Sequence, residues 1–226
     1  MTLTRPAPRR TATLLRFDIT QRTAHWVNAA LFGVLMFTAI PLYFGSFFGV
    51  VFPRHTIQMI HLWCGIALPV PLLVAMVGPW GRRLRADLRR ISVWTRREVR
   101  WLRTLGRTSL DADKFNPGQK ANAIFTGAAI VVLFVTGYIL QWFRFFPVSW
   151  RTGATFTHDL FAWVVFAVIG GHVVMALTHP GSLGSMIKGT VDETWAAKNA
   201  EAWLDEERQS GARSEGPSPS EREGAG

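Results

Sequence analysis

Polar and apolar positions are segregated along this chain. Four stretches, 23–53, 55–81, 121–143 and 160–187, contain no Lys, Arg, Asp or Glu. An α-helix needs roughly 20 residues to cross the hydrocarbon core of a bilayer, and each stretch is longer than that. A soluble core helix rarely runs so far without a charge. The pattern therefore predicts an all-α membrane protein, a bundle of four transmembrane helices.

Local signals set the expected limits. Span one runs from about 23 to 40, where Pro41 limits it, and the aromatic run 42–52 lies at the far surface. Span two covers about 55–77 and is bent by Pro69 and Pro71, a bend that membrane helices tolerate when neighbours satisfy the freed carbonyls. Residues 81–107 form a surface helix whose Trp94, Trp101 and Leu102 sit among lipid headgroups. Asn116 caps span three, Pro117 takes its first position, and Gln119 completes a capping box. That span ends near Trp142. Span four covers about 156–178 and stops before Pro180. A second capping box at 190–193 starts a helix carrying Trp195 and Trp203. The tail from Gln209 is rich in Ser, Gly, Glu and Pro and reads as disordered. The resulting plan is a basic arm at 1–22, a four-helix domain at 23–208 with an Arg-rich loop at 81–113, and a disordered tail at 209–226.

Charge adds an orientation. The net charge of +10 would suit a nucleic-acid binder, but its distribution argues against nucleic acid. Ten Arg fall within 82–107, opposed by Asp87 and Glu98 alone, and five more lie in the first 22 residues. The loop between spans one and two carries only Arg54, and that between spans three and four only Arg144 and Arg151. Loops rich in Lys and Arg stay in the cytoplasm. Both termini are therefore expected inside, with membrane lipid as a partner. The basic N-terminus lacks a short apolar stretch with a small-residue cleavage site, so the first apolar run reads as a retained helix. Cys64 is the one cysteine; it permits no internal disulfide and reads as a buried small residue. No C-x-x-C-H occurs, which excludes covalent haem attachment, and no Cys cluster could hold an iron–sulfur centre.

The histidines carry the chemistry, because an ionisable residue inside a span is a functional hypothesis by default. His158 and His172 are fourteen residues apart. At about 100° per residue they lie within about 40° of one face, and about 21 Å apart along the helix axis. Two sites on one face near opposite membrane surfaces suit two stacked haems. The topology supplies second ligands at matching depths. His25, near the inner end of span one, meets His172; His61, near the outer end of span two, meets His158. Bis-imidazole ligation makes the iron low-spin. A single His in an apolar helix is more often a packing residue, but four at paired depths favour ligation. Gly65, one turn after His61, and Gly170 with Gly171, before His172, would let a flat ring approach the backbone, or else let helices pack closely. His55 lies about 120° around the helix from His61. His179 is seven residues after His172 and competes for the inner haem, but it abuts Pro180 and reads as a surface residue.

Several pieces resemble the cytochrome b (gamma) subunit of respiratory formate dehydrogenases. They are Lys114-Phe-Asn-Pro-Gly-Gln-Lys120, His172-Val-Val-Met-Ala176, and the run from Gly181 through Met186, Val191 and Asp192 to Trp195. The resemblance covers about residues 14–207. It implies a four-helix dihaem cytochrome b with two haem b groups, ligands matching His25, His61, His158 and His172, and no catalytic residue in this chain. It implies electrons arriving from an iron–sulfur (beta) subunit, formate oxidation on a molybdenum or tungsten catalytic (alpha) subunit, and menaquinone or ubiquinone as acceptor. The quinone pocket would involve Asn116, Gly118 and Gln119, with His172 nearby; helix capping alone is the plainer role for Asn116 and Gln119. The chain departs from the family pattern at Pro117, where a small residue is common, and at Lys198-Asn199-Ala200, where a His pair is frequent. The same plan is shared by cytochromes b of nickel–iron hydrogenases and thiosulfate reductases. A four-span transporter or scaffold without haem is the rival from another class.

Overall fold

A computed structural model describes residues 12–45, 53–104, 106–107 and 113–215. Four of its helices are long and apolar enough to cross a membrane.

The first, α1 (Ile19–Tyr43), opens on a capping box. The Asp18 carboxylate accepts the Gln21 backbone N–H at 2.8 Å, and Gln21 Oε1 accepts the Asp18 N–H at 3.0 Å. It begins earlier than expected because the acidic cap lies inside what reads as a charged arm. It also passes Pro41 before ending. Proline costs a helix one hydrogen bond, and within the last turn the Phe44 N–H still reaches the Ile40 carbonyl at 2.9 Å. The rest of the expected surface run, 46–52, lies outside the described residues.

The second span is α2 (Arg54–Ala67) followed by α3 (Val70–Met76). Pro69 and Pro71 remove two donors, yet Leu68 and Pro69 keep right-handed helical backbone, so the span bends rather than breaks. Beyond it the chain turns at Gly78, whose φ of 85° favours glycine. The expected single surface helix is in fact two, α4 (Arg82–Ser92) and α5 (Arg96–Arg103). Thr95 interrupts the run because its hydroxyl caps α5, accepting the Glu98 N–H at 3.2 Å.

Span three, α6 (Pro117–Gln141), has Asn116 as its cap and ends at Trp142, as the sequence indicates. Span four, α7 (Val148–Thr178), starts two turns before the expected position, directly after Pro147. At 1.5 Å per residue its 31 residues extend about 46 Å, more than a hydrocarbon core of about 30 Å.

Past α7 come α8 (Pro180–Lys188), α9 (Glu193–Asn199) and α10 (Glu201–Glu215). Three expectations fail here. The segment at 190–193 is not a capping box: Thr190–Asp192 is strand β2, pairing antiparallel with β1 (Thr13–Leu15), and Asp192 makes no side-chain cap. Trp195 and Trp203 lie on different helices, separated at Ala200. The tail is helical from Gln209 to Glu215. The β1–β2 ribbon also means that residues 13–15 are paired rather than part of a free arm, in a fold that is otherwise helical. Gly189, at φ 90°, joins α8 to the ribbon, and its carbonyl accepts the N–H groups of Arg16 and Phe17 at 2.8 and 3.0 Å. A Cβ there would come within 2.7 Å of the Phe17 carbonyl.

Two cores result. Phe32, Leu68, Ala129, Ile130 and Val165 meet at mid-bundle, one or more from each span. Val191, Ala196, Ala200, Trp203 and Leu204 form a second core beneath the ribbon. Most of the span surface still faces outward: only 6–17% of the residues in the most apolar windows are buried. Such outward apolar surface is stable in lipid, not in water, and the chain is an integral membrane protein.

Candidate functional site

Two pairs of histidines face each other between helices of the bundle, one near each end; His25, His61 and His158 are half-buried and His172 is exposed. His25 of α1 and His172 of α7 have ring centroids 6.2 Å apart, with planes at 63°. His61 of α2 and His158 of α7 have centroids 6.4 Å apart, with planes at 62°. Two imidazoles bound trans to one metal, with metal–nitrogen bonds of about 2.0 Å, have centroids about 6.3 Å apart. Each pair therefore has the spacing at which two imidazoles can share one iron. The other histidines do not join them. His55 is exposed, and His179 is exposed with Nδ1 2.9 Å from the Met175 carbonyl of its own helix. Among the described residues no cluster of three or more His, Cys, Asp or Glu could hold a metal.

Hydroxyl groups orient the second pair. Thr38 Oγ1 lies 2.9 Å from His61 Nδ1, and Thr136 Oγ1 lies 2.9 Å from His158 Nδ1. Each hydroxyl also reaches back one turn, Thr38 to the Val34 carbonyl at 2.8 Å and Thr136 to the Val132 carbonyl at 2.7 Å. A hydroxyl has one proton. Donated to the carbonyl, it leaves the oxygen to accept an N–H from Nδ1, so Nε2 carries the lone pair that a metal needs. At the first pair, the amide of Asn122 lies 3.5 Å from His172 Nδ1.

The glycines around these rings are open. A Cβ on Gly170 or Gly171 would meet no heavy atom within 4 Å, and on Gly65 only Leu35 at 3.9 Å. Close helix packing therefore does not explain them. Gly137 differs: its Cβ would touch the His158 ring at 3.5 Å. Cys64 is half-buried rather than buried.

Asn116, Gly118 and Gln119 share the first turn of α6. Asn116 Oδ1 accepts the Gln119 N–H at 2.9 Å, and Gln119 Oε1 accepts the Asn116 N–H at 3.1 Å. Capping thus uses both carbonyl oxygens and leaves the amide NH2 groups to donate. The Trp101 ring of α5 lies over Gly118, where a Cβ would stand 3.9 Å from it and 3.3 Å from Asn116 Oδ1.

Buried ion pairs flank this turn. Lys114 meets Asp87 of α4 at 2.6 Å, with both side chains 7% exposed. Asp87 also accepts from Gln21 at 2.5 Å. Arg16 donates to the Lys114 carbonyl at 2.9 Å and to Ser185 Oγ at 3.1 Å, and lies over the Trp195 ring at 4.6 Å. Burial pushes Arg16 down to about 10 against the pull of Asp87. It also lowers Lys114, again opposed by Asp87. On the other side, Lys120 meets Glu98 at 2.6 Å. Burial alone would raise the Glu98 carboxyl, but Lys120 and Thr95 outweigh it and hold the group below the usual range. These contacts tie α1, α4, α5, α6 and α8 together around Asn116.

Sequence reasoning missed Thr38, Thr136, Asn122 and the two ion pairs. A threonine bonded to its own helix is unremarkable in a span, so the first two carry no signal. The acids were detectable, as the two carboxylates among ten arginines.

An integral membrane four-helix protein with two facing histidine pairs is a cytochrome b in plan, and residues 16–189 match the prokaryotic cytochrome b561 family. The chain belongs to that family, and membership implies haem b. It is similar to the formate dehydrogenase cytochrome b556 subunit of Haemophilus influenzae, 27% identical over 202 residues, or 86% of this chain and 83% of the relative. It is also similar to the formate dehydrogenase cytochrome b556(fdo) subunit of Escherichia coli K12, 25% identical over 210 residues, or 89% of this chain and 96% of the relative. The resemblance seen in the sequence motifs thus extends over most of the chain.

Proposed function

We propose that this chain is the membrane cytochrome b subunit of a formate dehydrogenase, carrying electrons from formate oxidation through two b haems to a quinone. One observation bears most weight: both histidine pairs have the centroid spacing of bis-imidazole ligation. In this reading His25 and His172 hold the haem at the end carrying the Arg-rich helices, and His61 and His158 hold the other. Haem iron supplies one-electron transfer. His25 with His172, and His61 with His158, would each hold one haem between two imidazoles, with no side chain among the described residues placed to bind formate beside it, so the formate chemistry belongs to a separate molybdenum or tungsten subunit. The relatives' names support that division, since each is named as a subunit of formate dehydrogenase. An iron–sulfur subunit delivers electrons at the loop end.

The Arg-rich end is cytoplasmic, with both termini there, in the inner membrane. Asn116, Gly118 and Gln119 lie at that end and form the quinone site, to menaquinone or ubiquinone. The Asn116 amide donates to a quinone carbonyl, where negative charge develops on reduction. Purifying the tagged chain from membranes tests the assignment. A molybdenum or tungsten formate dehydrogenase subunit and an iron–sulfur subunit should accompany it, and formate should reduce its haem. Copurification with a hydrogenase, and reduction by hydrogen but not formate, would contradict it.

A further inference from the structure

The two histidine pairs differ in what holds them. Each ring of the loop-end pair has a threonine from a neighbouring helix at 2.9 Å from Nδ1: Thr38 of α1 for His61 and Thr136 of α6 for His158. Both hydroxyls are buried, and both are back-bonded to their own helix, including the carbonyls of Leu35 and Leu133 at 3.1 and 3.3 Å. Among the described residues no hydroxyl bonds His25 or His172. His172 has only the Asn122 amide at 3.5 Å.

We propose that Thr38 and Thr136 are positioning residues that set the reduction potential of the loop-end haem below that of the haem at the Arg-rich end. The inference rests on the histidine assignment above. An Nδ1–H that donates to a fixed oxygen makes the imidazole a stronger electron donor through Nε2. A stronger donor stabilises ferric over ferrous iron and lowers the potential, since ligand hydrogen bonding is one of the levers a protein has on haem. Two such bonds act on one iron at the loop end and none from a hydroxyl at the other. One electron passing from the loop end to the Arg-rich end then moves downhill, oxidising iron at the first site and reducing it at the second. Each bond also fixes the rotation of its ring about the Cβ–Cγ axis, and ring orientation governs the g-anisotropy of a low-spin ferric centre.

Potentiometric titration and low-temperature EPR of the purified complex test this. Thr38→Val and Thr136→Val remove the acceptor while keeping side-chain shape. Each should move the loop-end potential upward and shift that haem's g-values, with the other haem unchanged; together they should narrow the gap further. Thr38→Ser and Thr136→Ser keep the hydroxyl and should titrate as wild type. Valine variants with both haems bound and an unmoved potential would overturn this inference alone. So would serine variants whose loop-end potential departs from wild type, an outcome that can be read even if the valine proteins do not assemble. A wild-type complex lacking a haem ligated by His61 and His158 would instead overturn the histidine assignment, and this inference with it.

Discussion

His158 and His172 stand on one helix, α7, and each faces a histidine from a different span, His61 of α2 and His25 of α1. A rise of 1.5 Å per residue separates them by about 21 Å. α7 is thus the common wall of both sites. The mid-bundle core, with Val165 between the two histidines, keeps the pairs in register. A change that loosens this core, such as Val165→Ala, should weaken both sites together, read as parallel loss of both haems on heating in detergent.

Removing one member of the Lys114–Asp87 pair should be costly. Lys114→Ala leaves a buried carboxylate with Gln21 in contact and Arg16 and Arg90 acting from further away. Breaking a buried pair this way costs about 3–5 kcal/mol, whereas replacing both partners by apolar residues of similar volume is far milder. Thermal unfolding in detergent should therefore rank Lys114→Ala below the double variant Asp87→Leu/Lys114→Met. Equal midpoints would show that the pair is not coupled.

Glu98 gives a pH dependence. Its folded-state carboxyl titrates below the usual range. The stability it contributes is fully present above the ordinary carboxylate value of about 4.3 and is lost as the pH falls through the lowered value. Wild type should lose thermal stability across that acid window, and Glu98→Gln should show a flatter profile from a lower plateau. A Glu98→Gln profile parallel to wild type would contradict the assignment.

Asn116→Ala separates capping from quinone binding. Loss of a cap costs about 0.5–2 kcal/mol of helix stability, which lowers the amount of folded protein. Loss of a donor to the quinone lowers turnover per assembled haem. Quinone reduction per haem should fall severalfold in Asn116→Ala while formate still reduces both haems. An unchanged rate per haem would leave capping as the only role.

How far these features were legible follows from their range. The spans were legible because 20 uncharged residues mean the same thing in any context, and the shared face of His158 and His172 follows from helical period alone. The Asn116 box was legible because its partners are three residues apart. The Asp18 box has the same spacing but is embedded in basic residues that read as an arm. The β1–β2 ribbon could not be seen: its strands have three residues each and pair across nearly the whole chain. Thr38 and Thr136 were hidden for another reason, since nothing local distinguishes a threonine that bonds only its own helix from one that also holds a neighbour's ring.

Haem content of the purified chain and of its four histidine variants decides whether the two histidine pairs each hold a haem. Wild type should carry two b haems per chain by reduced-minus-oxidised spectroscopy. His25→Ala and His172→Ala should each lose one and the same haem, and His61→Ala and His158→Ala should each lose the other. A wild-type chain without haem, or loss of the same single haem in His25→Ala and His158→Ala, would contradict the account.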